Sequence, residues 1–168
     1  MSVIILDLRS LFVNDGESLS LDCRFDMSEV DFYGERPLKS PVLVKGSAYS
    51  RAGIVTLSVV CDCEYTAPCD RCGKQTVKHY KVPIERVLVS KLENGENDEI
   101  ILLQDFKLDL YELCFTEVVL AMPSKHLCKE DCKGLCPECG KDLNDGPCGC
   151  ATTSGDPRMA ALAKLLEN

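Results

Sequence analysis

Twelve cysteines in a chain of 168 residues hold most of the chemistry this sequence offers, and most of them are paired at short spacing. Zinc takes four thiolate or imidazole ligands in a tetrahedron, and a Cys-x2-Cys turn supplies two of them with both sulfurs able to approach one ion at about 2.3 Å. Cys136-Pro137-Glu138-Cys139-Gly140 has that form, with glycine where the backbone must reverse. Cys148 and Cys150 follow after a loop of eight residues, and Gly149 between them lets the chain bend. Cys136, Cys139, Cys148 and Cys150 therefore make a complete local site. Upstream, Cys69-Asp70-Arg71-Cys72-Gly73 is a second knuckle and half a site, and Cys128 with Cys132 is another half. Joined, these four would clamp the C-terminal segment onto the preceding domain, giving two structural zinc ions in all. Two rival partitions stay open at this point. Cys61 and Cys63 can complete a local site with Cys69 and Cys72, or Cys128 and Cys132 can take the places of Cys148 and Cys150.

Other chemistry is sparse. Cys23 and Cys114 stand singly on apolar faces and read as packed thiols. A redox pair at Cys69 and Cys72 would need a helix N-terminus in a βαβ setting, whereas the flanking residues read as strand. Of the two histidines, His79 and His126, only His126 lies where it can replace a nearby cysteine as ligand. No phosphate-cradling glycine loop and no hydrolase or zinc-protease signature is present, so the protein is expected not to be an enzyme. One basic stretch stands out. Arg71, Lys74, Lys78, Lys81, Arg86 and Lys91 are opposed only by Glu85, with His79 and Tyr80 among them. Arg71, Lys74, Lys78 and Lys81 can meet RNA phosphates and Tyr80 can stack a base. The plainer reading is an edge strand guarded by lysines.

The elements that must position these residues are β in the first half. Val3 to Leu8 is a short apolar run, and Leu19, Leu21, Cys23 and Phe25 alternate with polar residues. Val42 to Lys45 and Ile54 to Val60 predict strands with Arg51-Ala52-Gly53 as the turn between them. Thr76 to Val89 predicts another, with Tyr80, Val82 and Ile84 on one face and Pro83 marking an edge or a bulge. Lys91 to Glu99 is a polar loop, and Ile100 to Leu103 predicts a short strand. Asp109 then caps a helix whose face carries Leu110, Leu113, Cys114, Val118 and Ala121, stopped by Pro123. Across this region Glu93, Glu96, Asp98, Glu99, Asp105, Asp109, Glu112 and Glu117 face only Lys91 and Lys107, which reads as a solvated acidic face. From Ser124 to Cys150 apolar residues are too few for a core, so the segment needs a staple. Asp156 and Pro157 open a last short helix with Met159, Leu162 and Leu166 as its stripe.

Composition agrees with a folded chain: 45% of residues are hydrophobic and 27% charged. The net charge of −8 argues against a broad electrostatic grip on nucleic acid. The opening MSVIILDLRSLF lacks a basic stretch, an unbroken apolar run and a cleavage site, and nothing approaches a membrane span of about 20 apolar residues. A cytoplasmic location, with thiols reduced and clustered cysteines holding metal, is the expectation. The fold class is α+β: an antiparallel β domain with a central helix over residues 1–123, and a zinc-stapled segment with a terminal helix over 124–168.

The string DCKGLCPECGKDLNDGPCGC (Asp131 to Cys150), with DPRMAALAKLL (Asp156 to Leu166), CDRC (Cys69 to Cys72) and LAMP (Leu120 to Pro123), resembles the bacterial YceD-like family, named for large ribosomal RNA subunit accumulation. The resemblance covers most of the chain, is specific at the cysteines and loose before Lys45. It implies a non-enzymatic factor for synthesis, processing or stability of the large-subunit (23S) rRNA, whose partner is that rRNA or a ribosomal protein of the large subunit. The family's gene typically neighbours that of a small zinc-ribbon protein of the large subunit, which implies a shared assembly step. Relatives that keep the CxRC pair and the region of Cys128 and Cys132 without the downstream quartet make the division into Cys69, Cys72, Cys128, Cys132 and Cys136, Cys139, Cys148, Cys150 the natural one. Cys61 and Cys63 are not part of the pattern. The alternative function is an adaptor whose acidic stretch, Glu93 to Glu117, receives a basic ribosomal protein. A thiol oxidoreductase at Cys69 and Cys72 is a third.

Overall fold

A computed structural model describes residues 4–32, 34–91 and 100–150. The helix expected after Asp156 and most of the loop from Lys91 to Glu99 lie outside the described residues. The order is β1 (Ile5–Asp7), α1 (Arg9–Val13), β2 (Ser18–Phe25), β3 (Val42–Arg51), β4 (Ile54–Pro68), β5 (Gln75–Val89), β6 (Ile100–Leu102), β7 (Lys107–Asp109) and α2 (Leu110–Ala121).

Strands β2 to β6 form one sheet in sequence order, and β1 pairs with β7 in a separate two-stranded ribbon. The expected antiparallel pairing holds from β2 through β5. It fails at β6, which runs parallel to β5 over Val87–Val89, so the sheet is mixed. The alternation of three residues cannot specify direction, because a short strand offers the same side-chain pattern either way. The long hairpin β4–β5 follows from two clean alternations. Along β4, Val55, Leu57, Val59, Cys61, Cys63, Tyr65 and Ala67 point into the core, and they sit opposite Leu88, Ile84 and Val82 among others on β5. The strand outruns the expected Ile54–Val60 because Cys61, Cys63 and Tyr65 continue the inward series. Pro83 lies where β5 pairs only with β4, since β6 reaches no further than Val87. A proline without an N–H fits such an edge.

Helix α2 starts where Asp109 caps it, the carboxylate accepting from the N–H groups of Tyr111 and Glu112 at 3.0 and 3.1 Å. It ends at Met122, whose extended backbone is what a following Pro123 demands. Leu110, Cys114 and Val118 of the expected face are buried, Leu113 is half-buried and Ala121 exposed. That face covers the inner side of the sheet, and Arg86 of β5 pairs with Glu117 of α2 at its margin. Leu8, Leu11, Phe25, Met27 and Leu38 complete the core. The other face of the sheet is open and mixed: Lys81 lies across from Asp62 and His79 across from Glu64, with Leu43, Val60 and Val77 exposed on the same face. The α1 helix and the inward Met27 and Leu38 of the loop before β3 had no periodic signal.

Candidate metal centres

Both Cys-x2-Cys-Gly turns fold the same way. The N–H of Cys69 donates to the Lys74 carbonyl (2.9 Å) and that of Gly73 to the Cys69 carbonyl (2.8 Å). The N–H of Cys136 likewise donates to the Lys141 carbonyl (2.8 Å) and that of Gly140 to the Cys136 carbonyl (2.9 Å). Gly73 and Gly140 close these turns at φ of 70° and 72°, a left-handed backbone that costs glycine nothing. The first turn joins β4 to β5, as the hairpin requires.

Two groups of four sulfurs result, Cys69, Cys72, Cys128, Cys132 and Cys136, Cys139, Cys148, Cys150, each with all Sγ atoms within 4.8 Å of one another. Cys69 and Cys132 have their sulfurs 3.8 Å apart, and Cys72 and Cys128 3.7 Å. A tetrahedron with zinc–sulfur bonds of about 2.3 Å has an edge of about 3.8 Å, whereas a disulfide needs about 2.05 Å. The spacing is thus that of ligands around one ion, and either group can hold a metal.

The electrostatics point the same way. Burial raises the Cys69 thiol, but backbone N–H donors from Cys128, Cys72 and Arg71 outweigh it and hold it down to about 6. The Cys139 backbone, with Cys148 and Glu138 behind it, holds Cys136 at about 7. The Asn144 amide lowers Cys132. Burial and the three neighbouring thiols push Cys128 up to about 12, and Cys139 and Cys148 do the same to Cys150. Some sulfurs are favoured as thiolates while burial and the neighbouring thiols favour the protonated form of others, a conflict that a divalent cation resolves.

A set of hydrogen bonds supports the first group. The Arg71 guanidinium donates to the Cys132 carbonyl at 2.7 Å, and the Asn144 amide to the Cys132 sulfur at 3.4 Å, which ties the loop of the second group to the first. Gly134 crosses Arg71 so closely that a Cβ there would sit 3.0 Å from the Arg71 carbonyl oxygen. His126 is no member of either group. Its N–H donates to Asp70 Oδ2 (2.7 Å), its carbonyl accepts from the Asp70 N–H (2.9 Å), and its ring lies against Tyr65. Arg71, Asn144 and His126 carry this support without any spacing signal in the sequence.

Cys61 and Cys63 are not near Cys69 and Cys72; they sit in the main core. Cys61 shares a hydrogen bond with the Cys114 thiol, and burial pushes Cys63 up to about 11. Cys128 and Cys132 gather with the upstream knuckle and not with Cys136 and Cys139.

The basic hairpin does not form one surface. Lys78 and Lys81, three apart on β5, point to opposite faces, with Lys78 opposite Tyr65 and Lys81 opposite Asp62. The Tyr80 ring is half-buried edge-on to Tyr65, Arg71 is engaged with Cys132, and Lys74 lies close enough to Asp142 to help lower its carboxyl, after the hydrogen bonds from Asn144. Among the described residues no helix is long and apolar enough to cross a membrane.

No solved structure matches the chain. The Bacillus subtilis protein YlbN is 28% identical over 130 residues, 76% of this chain and 76% of that protein. A Mycobacterium tuberculosis protein is 38% identical over 74 residues, 44% of this chain and 35% of its own length. A Mycobacterium leprae protein is 29% identical over 119 residues, 68% of this chain and 52% of its own. The family described as large ribosomal RNA subunit accumulation protein YceD matches residues 57–166. Both knuckles, the strands and helix between them and every sulfur of the two groups fall inside that stretch, and the chain belongs to this family.

Proposed function

We propose that this protein is a non-enzymatic factor in the synthesis, processing or stability of large-subunit rRNA, working in the cytoplasm with one structural zinc ion in each cysteine group. The family match over residues 57–166 carries the reading. All-cysteine groups of four leave a metal no open position for substrate, which supports structural over catalytic zinc. The first group joins a β-rich part, residues 1–123, to a cysteine-rich part, 124–168, with Cys69 and Cys72 reaching out of one and Cys128 and Cys132 out of the other. Contact with the ribosome runs through a basic protein of the large subunit rather than through rRNA gripped by the hairpin. The divided lysines, the engaged Arg71 and Tyr80 and the net charge of −8 all favour that choice. Depleting the protein in cells tests the role. The ratio of large- to small-subunit rRNA should fall, and an unchanged ratio with normal precursor processing would refute the proposal.

A further inference from the structure

The cysteine groups leave unused a cavity of about 570 Å³ at the seam of the two parts. It lies between the loop before β3, the end of β4, the Cys69–Cys72 turn and the chain after α2. Its lining has two chemical characters. Phe32 and Tyr65 provide aromatic walls, their rings 6.4 Å apart, while Asp31, Glu35 and Asp70 bring three carboxylates. Among the described residues none of the three pairs with a lysine or arginine, and the nearby Arg36 is turned to Glu29 at 2.7 Å. Asp31 accepts the Gly34 N–H (2.9 Å), which folds the loop and fixes its carboxylate. The negative field reaches Tyr65, whose phenol is pushed up first by burial and then by Asp70, Tyr80 and Glu35.

His126, only 3% exposed, lines the same cavity with an unsatisfied nitrogen. Its Nε2 lies 2.5 Å from Thr76 Oγ1, and that hydroxyl donates to the Ala67 carbonyl at 3.4 Å. Nδ1 is buried and has no hydrogen-bond partner. Three carboxylates and two aromatic rings suit one kind of guest: cationic, rich in N–H donors and able to lie against a ring. Guanidinium meets all three requirements, and ammonium lacks the planar face.

We propose that this cavity receives an arginine side chain of a basic protein segment, as the place where the large-subunit partner is gripped. This rests on the protein-partner reading above. The volume exceeds one side chain, so residues beside the arginine enter as well. Ser124 and His126 close one side of a cavity otherwise lined by residues 1–123, so the clamp completes it.

The test uses the full, zinc-loaded chain and fluorescein-labelled peptides of alternating glycine and arginine, the same peptide with citrulline, and the same with lysine. The arginine peptide should bind, the citrulline peptide about tenfold more weakly, and the lysine peptide in between. Asp31→Asn with Glu35→Gln should weaken the arginine peptide about tenfold, because two partly solvated charge contacts are lost. Glu85→Gln, an exposed carboxylate on the outer face of β5, should change it less than about twofold. Both Asp31 and Glu35 are exposed, so the double variant keeps its fold and its metal. Equal binding of the citrulline peptide, an equal loss in Glu85→Gln, or tighter binding of a labelled single-stranded RNA than of the peptide would each overturn the proposal. The depletion experiment reports on the ribosomal role and the titration on the cavity, so either can fail without the other.

Discussion

Replacing Cys69 and Cys72 together by serine removes half of the first sulfur group and tests whether it joins the two parts of the molecule. Apart from sulfur, the segment after Ser124 is held to the β4–β5 hairpin and its turn by five hydrogen bonds among the described residues. These are the Arg71 guanidinium on the Cys132 carbonyl, the two Asp70–His126 hydrogen bonds, Leu135 N–H on the Arg71 carbonyl at 3.2 Å, and the His126–Thr76 pair. At a net value of about 1 kcal/mol each they contribute about 5 kcal/mol. A four-cysteine zinc site contributes about 10 kcal/mol or more at neutral pH. Losing the larger share leaves a segment with almost no core of its own, and it should open. Lys125 and Lys129 flank the buried His126 and make the assay simple. Trypsin should cut the variant in this stretch at least about tenfold faster than the normal protein, since cleavage follows the population of the open form. Zinc content should fall from two ions to one. An unchanged cleavage rate in a variant that has lost one zinc would refute the clamp. So would loss of a zinc from Cys61→Ser with Cys63→Ser, because those sulfurs lie in the main core.

Metal analysis of the native protein should give two zinc ions per chain, and one or fewer would remove the two-centre arrangement. Changing Lys74, Lys78 and Lys81 together to Glu should leave the fold intact, at about 0.5 kcal/mol or less per position. It should also leave any gel shift of large-subunit rRNA fragments unchanged; a strong loss would restore the hairpin as an RNA contact. Gly134→Ala should lower the urea midpoint by an amount equivalent to about 1–2 kcal/mol, because φ is +74° and the new methyl meets the Arg71 carbonyl. No change in midpoint would mean that this crossing is looser than described. Ala52, at φ 53° in the two-residue turn between β3 and β4, should do better as asparagine: Ala52→Asn should raise stability by about 0.5–1 kcal/mol, read from the same denaturation curve, and a fall would contradict the turn geometry.

Local order was legible where a short-range rule acts alone. Alternation placed the β4–β5 hairpin, Asp109 and Pro123 bounded α2, and Cys-x2-Cys-Gly announced both knuckles, because turn, cap and pleat are decided by neighbouring residues. The ends were less legible: β4 runs on to Pro68 because Cys61, Cys63 and Tyr65 are apolar enough to keep facing inward. Direction of β6 was not legible at all, since three residues pair equally well either way until the rest of the sheet presents one edge. The same holds for the sulfurs. Spacing supplied half-sites, and two rival partitions satisfied it equally; only the packed sheet, which takes Cys61 and Cys63 into the core and leaves Cys69 and Cys72 at the hairpin tip, decides which halves meet. The basic residues were adjacent in sequence, yet strand pleating sends Lys78 and Lys81 to opposite faces. Conversely, Asp31, Tyr65, Asp70 and His126 are scattered along the chain and share one cavity. Sequence determines what each residue can do and how its nearest neighbours bend, while long-range packing determines which of them act on the same atom.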